Sequence, residues 1–140
     1  MKVVSIPAEK LMTSFHSEVK RSFKVVKNPN RKIALPTMEG LTFERIKDIL
    51  YLEAKGNYTS IHFMDGHKQL VCRTLRDMEE LLINELGFIR IHRSHTINLD
   101  YLQKYVKGKG GYVILEGGQS ISVSTGRKQA FMNAVGTYFS

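Results

Sequence analysis

Arg90, His92, Arg93 and His95 fall within six residues of one another, in the stretch FIRIHRSHTINLDYL from Phe88 to Leu102. Metal ligation, acid/base catalysis and contact with an anionic polymer could each use such a cluster. His92 and His95 are three apart. In a strand pattern an odd spacing sends two side chains to opposite faces. A zinc site takes four N/S ligands, or three plus water, and no repeated Cys/His spacing occurs. His62 and His67 flank a hairpin turn and are expected to lack a companion carboxylate or thiol. The chain carries no GxSxG, no Cys–His signature and no strongly paired carboxylates for nucleophilic or acid/base chemistry. Gly108–Gly111, GKGG, lacks the spacing and the Ser/Thr of a phosphate-binding P-loop and reads as a hairpin turn. The expectation is therefore a binding protein with no catalytic residues, no metal site and no cofactor.

Composition is consistent with that class. The chain has 140 residues, 42% of them hydrophobic, and a formal net charge of +8. This suggests one domain with a modest core and an anionic partner. The charge is unevenly spread. Residues 1–32 hold eight Lys/Arg and two acids, a net of +6, which leaves +2 for residues 33–140. A nucleic-acid contact in the main domain must then be a local cluster rather than a global field. No apolar run approaches the ~20 residues needed to span a bilayer, so no membrane insertion is expected. The start, MKVVSIPAEK, lacks the pattern of a signal peptide. The single cysteine, Cys72, cannot form an internal disulfide. Its flanks, QLVCRT, predict a buried strand position. These features point to a reducing, cytoplasmic setting.

Two parts follow from the patterning. In residues 1–31, Ser5 and Pro7 read as a helix start. Leu11, Phe15, Val19 and Phe23 then form one apolar stripe at spacing four, with Lys10, Lys20, Arg21 and Lys24 off it. Asn28, Pro29 and Asn30 end that basic amphipathic arm. From residue 32 to 140 the reading is mainly β. KIALPT is extended and MEGL turns the chain. In DILYLEA, Ile49, Tyr51 and Glu53 are expected on one face and Leu50, Leu52 and Ala54 on the other. KGN is a turn, YTSIHFM a strand, Asp65–Gly66 a tight hairpin and KQLVCRT its return strand. Thr74 and Asp77 resemble a capping box before a helical stripe of Leu75, Met78, Leu82 and Leu86, which Gly87 stops. Strands around FIRIH, TINL, LQKYVKG, YVILEG and SISVS follow, and GRKQAFMNAVGTYF closes the chain as a short helix.

The order of these pieces is informative. ILYLEAKGNYTSIHF, a hairpin with RTLRDMEELL, then FIRIHRSHTINLDYLQKY and ISVSTGRKQAF resemble the LytTR DNA-binding domain family of LytR/AlgR-type response regulators. The resemblance spans roughly residues 33–138, and its most specific element is F-x-R-x-H-R-S-x-x-I-N from Phe88 to Asn98. It implies an elongated arrangement of small antiparallel sheets with one or two short helices. It also implies a bacterial transcription regulator that binds double-stranded DNA through loops at sheet edges, often on two direct-repeat half-sites.

Three DNA-contacting segments follow from the resemblance. The first is the loop after LEA, here Lys55, Gly56, Asn57 and Tyr58. The second is the loop holding Arg93, Ser94 and His95. The third is the turn from Ser124 to Lys128. At the third site the family usually places an Arg one or two residues after the Ser, where this chain has Thr125 and Gly126. Its basic residues come later, at Arg127 and Lys128. Either Arg127 reads a base there or the contact has become a phosphate contact. Arg93 and Asn57 carry the directed hydrogen-bonding groups that read base edges. Tyr58, Ser94, Thr125, Lys55 and Lys128 suit phosphate. Structural alternatives stand beside these roles. Asn57 also fits turn geometry, Tyr58 packing, and Arg93 an ion pair with an acid such as Glu53. Arg90 and His92 alternate with Ile89 and Ile91, which makes one or both structural.

The arm has two readings, a linker to an upstream receiver domain or signalling partner, or a homodimerisation helix. A different class of function also fits the composition: a protein-interaction adaptor whose basic arm contacts an acidic or membrane surface. Binding to duplex DNA that weakens with salt and prefers some sequences separates it from a DNA reader.

Overall fold

A computed structural model describes residues 30–85 and 87–140. The expected amphipathic helix over the first 31 residues therefore lies almost wholly outside the described residues, as does Leu86. Ten strands and two α-helices make up the described fold. Strands β1 (Lys32–Thr37) and β2 (Gly40–Arg45) form a two-stranded hairpin. Strands β3 (Ile49–Lys55), β4 (Tyr58–Phe63), β5 (Lys68–Val71), β6 (Phe88–His92) and β7 (His95–Asn98) form a sheet in the order β5-β4-β3-β7-β6. Strands β8 (Leu102–Val106), β9 (Tyr112–Leu115) and β10 (Ser120–Ser122) form the third sheet. All pairings are antiparallel. Helix α1 (Leu75–Leu81) joins β5 to β6, and α2 (Lys128–Tyr138) ends the chain. This is the mainly β arrangement of small sheets expected from the sequence. The strand at 40–45 is not anticipated by the sequence: the expected MEGL turn is confined to Met38 and Glu39, and Gly40 and Leu41 already belong to β2.

The five-stranded sheet has a core on each side. On one, Leu35, Ile49, Leu52, Ile61, Phe63 and Val71 pack on Leu75, Met78 and Leu82 of the α1 segment. On the other, Leu50, Ile91, Ile97 and Leu99 pack on the third sheet and on Phe131 of α2. Each large apolar side chain so buried contributes about 1.5–3 kcal/mol. The strict alternation expected along β3 fails at its start. A bulge between Ile49 and Tyr51 puts Ile49 in the α1 core with Leu52, while Leu50 joins the opposite core with Tyr51. Cys72 lies just past the end of β5 and is half-buried, not in a buried strand.

Local chemistry sets the ends of the elements. The Thr74 hydroxyl accepts from the Asp77 backbone N–H at 3.1 Å, capping α1. That helix runs only to Leu81, and Leu82 forms its C-cap. Gly87 has φ +105°, and a Cβ there would meet the Tyr138 ring at 3.1 Å, so a side chain would be strained and crowded. The Tyr138 hydroxyl donates to Asp100 Oδ1, tying α2 to the turn before β8. Burial, with that bond and the Asp100 charge, pushes the phenol up to about 12. Buried Asn98 donates from Nδ2 to the Ile49 carbonyl at 2.8 Å and accepts from the Asp100 N–H at 3.0 Å.

Candidate nucleic-acid interface

Two of the three expected segments meet at one end of the five-stranded sheet. Lys55–Tyr58 is the tight β3–β4 turn, with Gly56 at φ +61°. Arg93–Ser94 is the two-residue β6–β7 turn. Strands β3 and β7 are neighbours, with Glu53 opposite His95, and the Ala54 N–H donates to the Ser94 carbonyl at 2.8 Å. Lys55, Asn57, Tyr58 and Arg93 are exposed, and Ser94 and His95 are half-buried.

The third segment is attached to the same sheet. The Ser124 N–H donates to the Ile91 carbonyl at 2.9 Å, next to β6 and two residues before Arg93. Thr125–Arg127 form a single 3-10 turn that runs into α2. Thr125 is exposed. Lys128 donates from Nζ to the Gly108 carbonyl at 3.4 Å. Arg127 lines an open groove of about 420 Å³ with Glu79 and Glu80 of α1. No acid occupies the first turn of α2. A lysine there opposes the helix dipole, so Lys128 does nothing for the helix itself. Sequence reasoning missed two neighbours. Lys107 and Lys109 flank Gly108, both exposed, and are thereby brought beside Lys128. The only signal was the basic KGKG run, which reads as an ordinary turn.

The Arg-His cluster sorts into separate roles. Arg90 Nη2 pairs with Glu79 at 2.9 Å, and its Nη1 donates to the Arg93 carbonyl at 3.2 Å. It holds β6 to α1 and braces the turn. Glu53, the acid named as an alternative partner for Arg93, is already occupied. His62 donates from Nε2 to its Oε1 at 3.1 Å, and Lys55 Nζ and His95 Nε2 lie 3.5 and 3.7 Å from its Oε2. The Arg93 side chain makes no ion pair among the described residues.

His92 and His95 are not on opposite faces. They are direct cross-strand partners, with ring centroids 5.8 Å apart. The parity rule applies within a strand, and the intervening turn reverses it. The Ser94 N–H donates to His92 Nδ1 at 3.2 Å. The Ser94 hydroxyl lies between His92 Nδ1 and His95 Nδ1, within hydrogen-bond distance of each at 2.9 Å.

His62 also has a companion after all, since Glu53 reaches it across the β3–β4 pair. Tyr51 stacks on its ring at 4.2 Å. His67 pairs with Asp65 and Glu44. Burial pushes the His62 and His95 imidazoles down, against the raising effect of Glu53. Burial also acts to raise the Glu53 carboxyl, but the His62 hydrogen bond and the Lys55 and His95 charges outweigh it and hold the group below its ordinary value. Among the described residues, no three His, Cys, Asp or Glu side chains converge as metal ligands. No helix there is long and apolar enough to cross a membrane.

Small antiparallel sheets thus carry basic and amide-bearing turns at one end of the fold. The profile of the LytTr DNA-binding domain matches residues 39–136, and the chain belongs to that family. It is 31% identical over 100 residues to the CO-responsive transcriptional regulator RcoM of Rhodospirillum rubrum. That match covers 71% of this chain and 42% of the relative, so the chain spans well under half of the relative's length. The fold is similar to that of a solved LytTr DNA-binding domain from Bacillus cereus, described as part of a methyl-accepting/DNA response regulator. That match has a TM-score of 0.64 at 21% identity and covers 75% of this chain and 96% of the other.

Proposed function

We propose that residues 32–140 read double-stranded DNA sequence-specifically, as the DNA-binding part of a bacterial transcription regulator, on repeated half-sites. The observation that carries this reading is the convergence at one sheet end of Asn57 and Arg93, both exposed, on turns joined by the Ala54–Ser94 hydrogen bond. Arg93 reads a base edge and Asn57 a second, because their forked groups match the donor and acceptor pattern of the major groove. Lys55, Tyr58, Ser94, His95, Thr125 and Lys128 hold phosphates and set register. Lys107 and Lys109 extend that contact. Arg127 faces Glu79 and Glu80 in the groove, so it contributes to the local field and does not read a base. The absence of an Arg at Thr125–Gly126 makes the third segment a phosphate clamp.

The basic residues 1–31 add sequence-independent attraction and connect the module to a regulatory partner or to a second copy. The module performs no chemistry on its ligand. Selection of duplexes from a random pool by the purified chain tests the reading. The expected result is enrichment of one short motif, repeated at a fixed spacing, with binding that falls steeply as salt rises. A pool that remains random after repeated rounds would overturn it.

A further inference from the structure

We infer that Glu53 is a positioning residue for DNA reading: its carboxylate locks the Asn57 turn and the Arg93 turn into one register without touching DNA. This rests on the assignment of those two turns to DNA.

Glu53 sits on β3, the central strand of the five-stranded sheet. Its Cα partners are Ser60 on β4 and His95 on β7. One carboxylate thus reaches three strands, through Lys55 on β3, His62 on β4 and His95 on β7. From His95 the connection continues through the Ser94 hydroxyl to His92, which brackets Arg93 on both sides. On the other side Lys55 opens the turn that presents Asn57.

Glu53 is also the single acid in residues 49–63 and 88–99. A carboxylate so close to a phosphate-binding surface weakens attraction to every duplex alike. Its side chain is only 26% exposed and is turned to the two histidines and Lys55. Fixing readers in place before binding improves discrimination, because less ordering remains to be done in the complex.

Electrostatics and positioning predict different results for Glu53→Gln. Loss of a negative charge by itself strengthens binding to all DNA and leaves preference unchanged. Loss of a positioning group lowers preference. In the full chain, Glu53→Gln is expected to keep a cooperative thermal transition and to bind a scrambled duplex at least as tightly as the parent does. Its preference for the selected duplex over the scrambled one should fall about tenfold. In the same variant, the NMR titration midpoints of both the His62 and His95 rings should move down, since the carboxylate supports both.

A second pair keeps the test open if Glu53→Gln does not fold. His62→Gln keeps a donor to Glu53 and should retain preference, whereas His62→Ala should lose part of it. An unchanged preference ratio in Glu53→Gln, unmoved histidine midpoints, or equal preference in His62→Gln and His62→Ala would each overturn the inference. If the parent itself prefers no duplex, the DNA-reading proposal fails first, and that outcome is separate from a parent with preference and an indifferent Glu53→Gln.

Discussion

The Ala54 N–H donates to the Ser94 carbonyl at 2.8 Å. That bond makes the turn carrying Asn57 and the turn carrying Arg93 neighbours on one rigid sheet end, although they are far apart in sequence. Arg90 braces the second turn from the α1 side by donating to the Arg93 carbonyl at 3.2 Å. The proposed readers are therefore carried by backbone that is hydrogen-bonded on both flanks, which is how a loop contact gains the precision of a regular element.

Asn98 should prove structural. Its side chain is buried and joins β7 to the start of β3 through the Ile49 carbonyl. Asn98→Ala leaves that carbonyl without its partner and opens the turn before β8, at a cost of roughly 1–3 kcal/mol. Chemical denaturation checks this: the midpoint should fall while the preferred DNA sequence stays the same in protein that remains folded.

Stability should fall on mild acidification. His62 and His95 are held below their ordinary value of 6.5 in the fold. As pH drops below that value the unfolded chain takes up protons that the folded chain does not, and stability is lost until the folded values are passed. His67 is raised by Asp65 and Glu44, so its contribution is present at low pH and lost as pH rises. It lies on the surface, where screening weakens it, and the half-buried pair should dominate. Thermal melts at about pH 7.5 and about pH 5.5 check the sign. The transition should be lower at the acidic point, and His62→Gln should reduce the difference.

Lys128→Ala should weaken binding to selected and scrambled duplexes by the same factor. Loss of one phosphate contact should also reduce the slope of log affinity against log salt by about one. Titrations at several salt concentrations measure both. The variant should fold normally, because Lys128 gives up only a 3.4 Å bond to the Gly108 carbonyl.

Much of this was legible in the sequence. Thr74 caps its helix through Asp77, Gly66 turns its hairpin, and the FIRIHRSHTIN stretch falls on two strands. What was not legible depended on pairing. A bulge at Ile49/Tyr51 moves one residue to the other core, and no local pattern marks it. The Arg93–Ser94 turn makes His92 and His95 partners, whereas counting along a single strand separates them. Glu53 and His62 are nine apart and meet only because β3 and β4 pair in that register. Lys107 and Lys109 join the third segment only through tertiary contact with Lys128. Within the motif that carries the family resemblance, Arg90, His92 and Asn98 hold structure. Arg93 alone of its basic residues is exposed.

That leaves Arg93 as the residue on which base reading most directly rests. The decisive measurement is the ratio of affinities for a selected duplex and its scrambled counterpart, in the parent and in Arg93→Ala, after both show the same thermal transition. The expected result is a loss of roughly 1–3 kcal/mol on the selected duplex, little change on the scrambled one, and relaxed preference at one base pair. An Arg93→Ala protein that folds normally and keeps the parent's ratio would contradict base reading by Arg93.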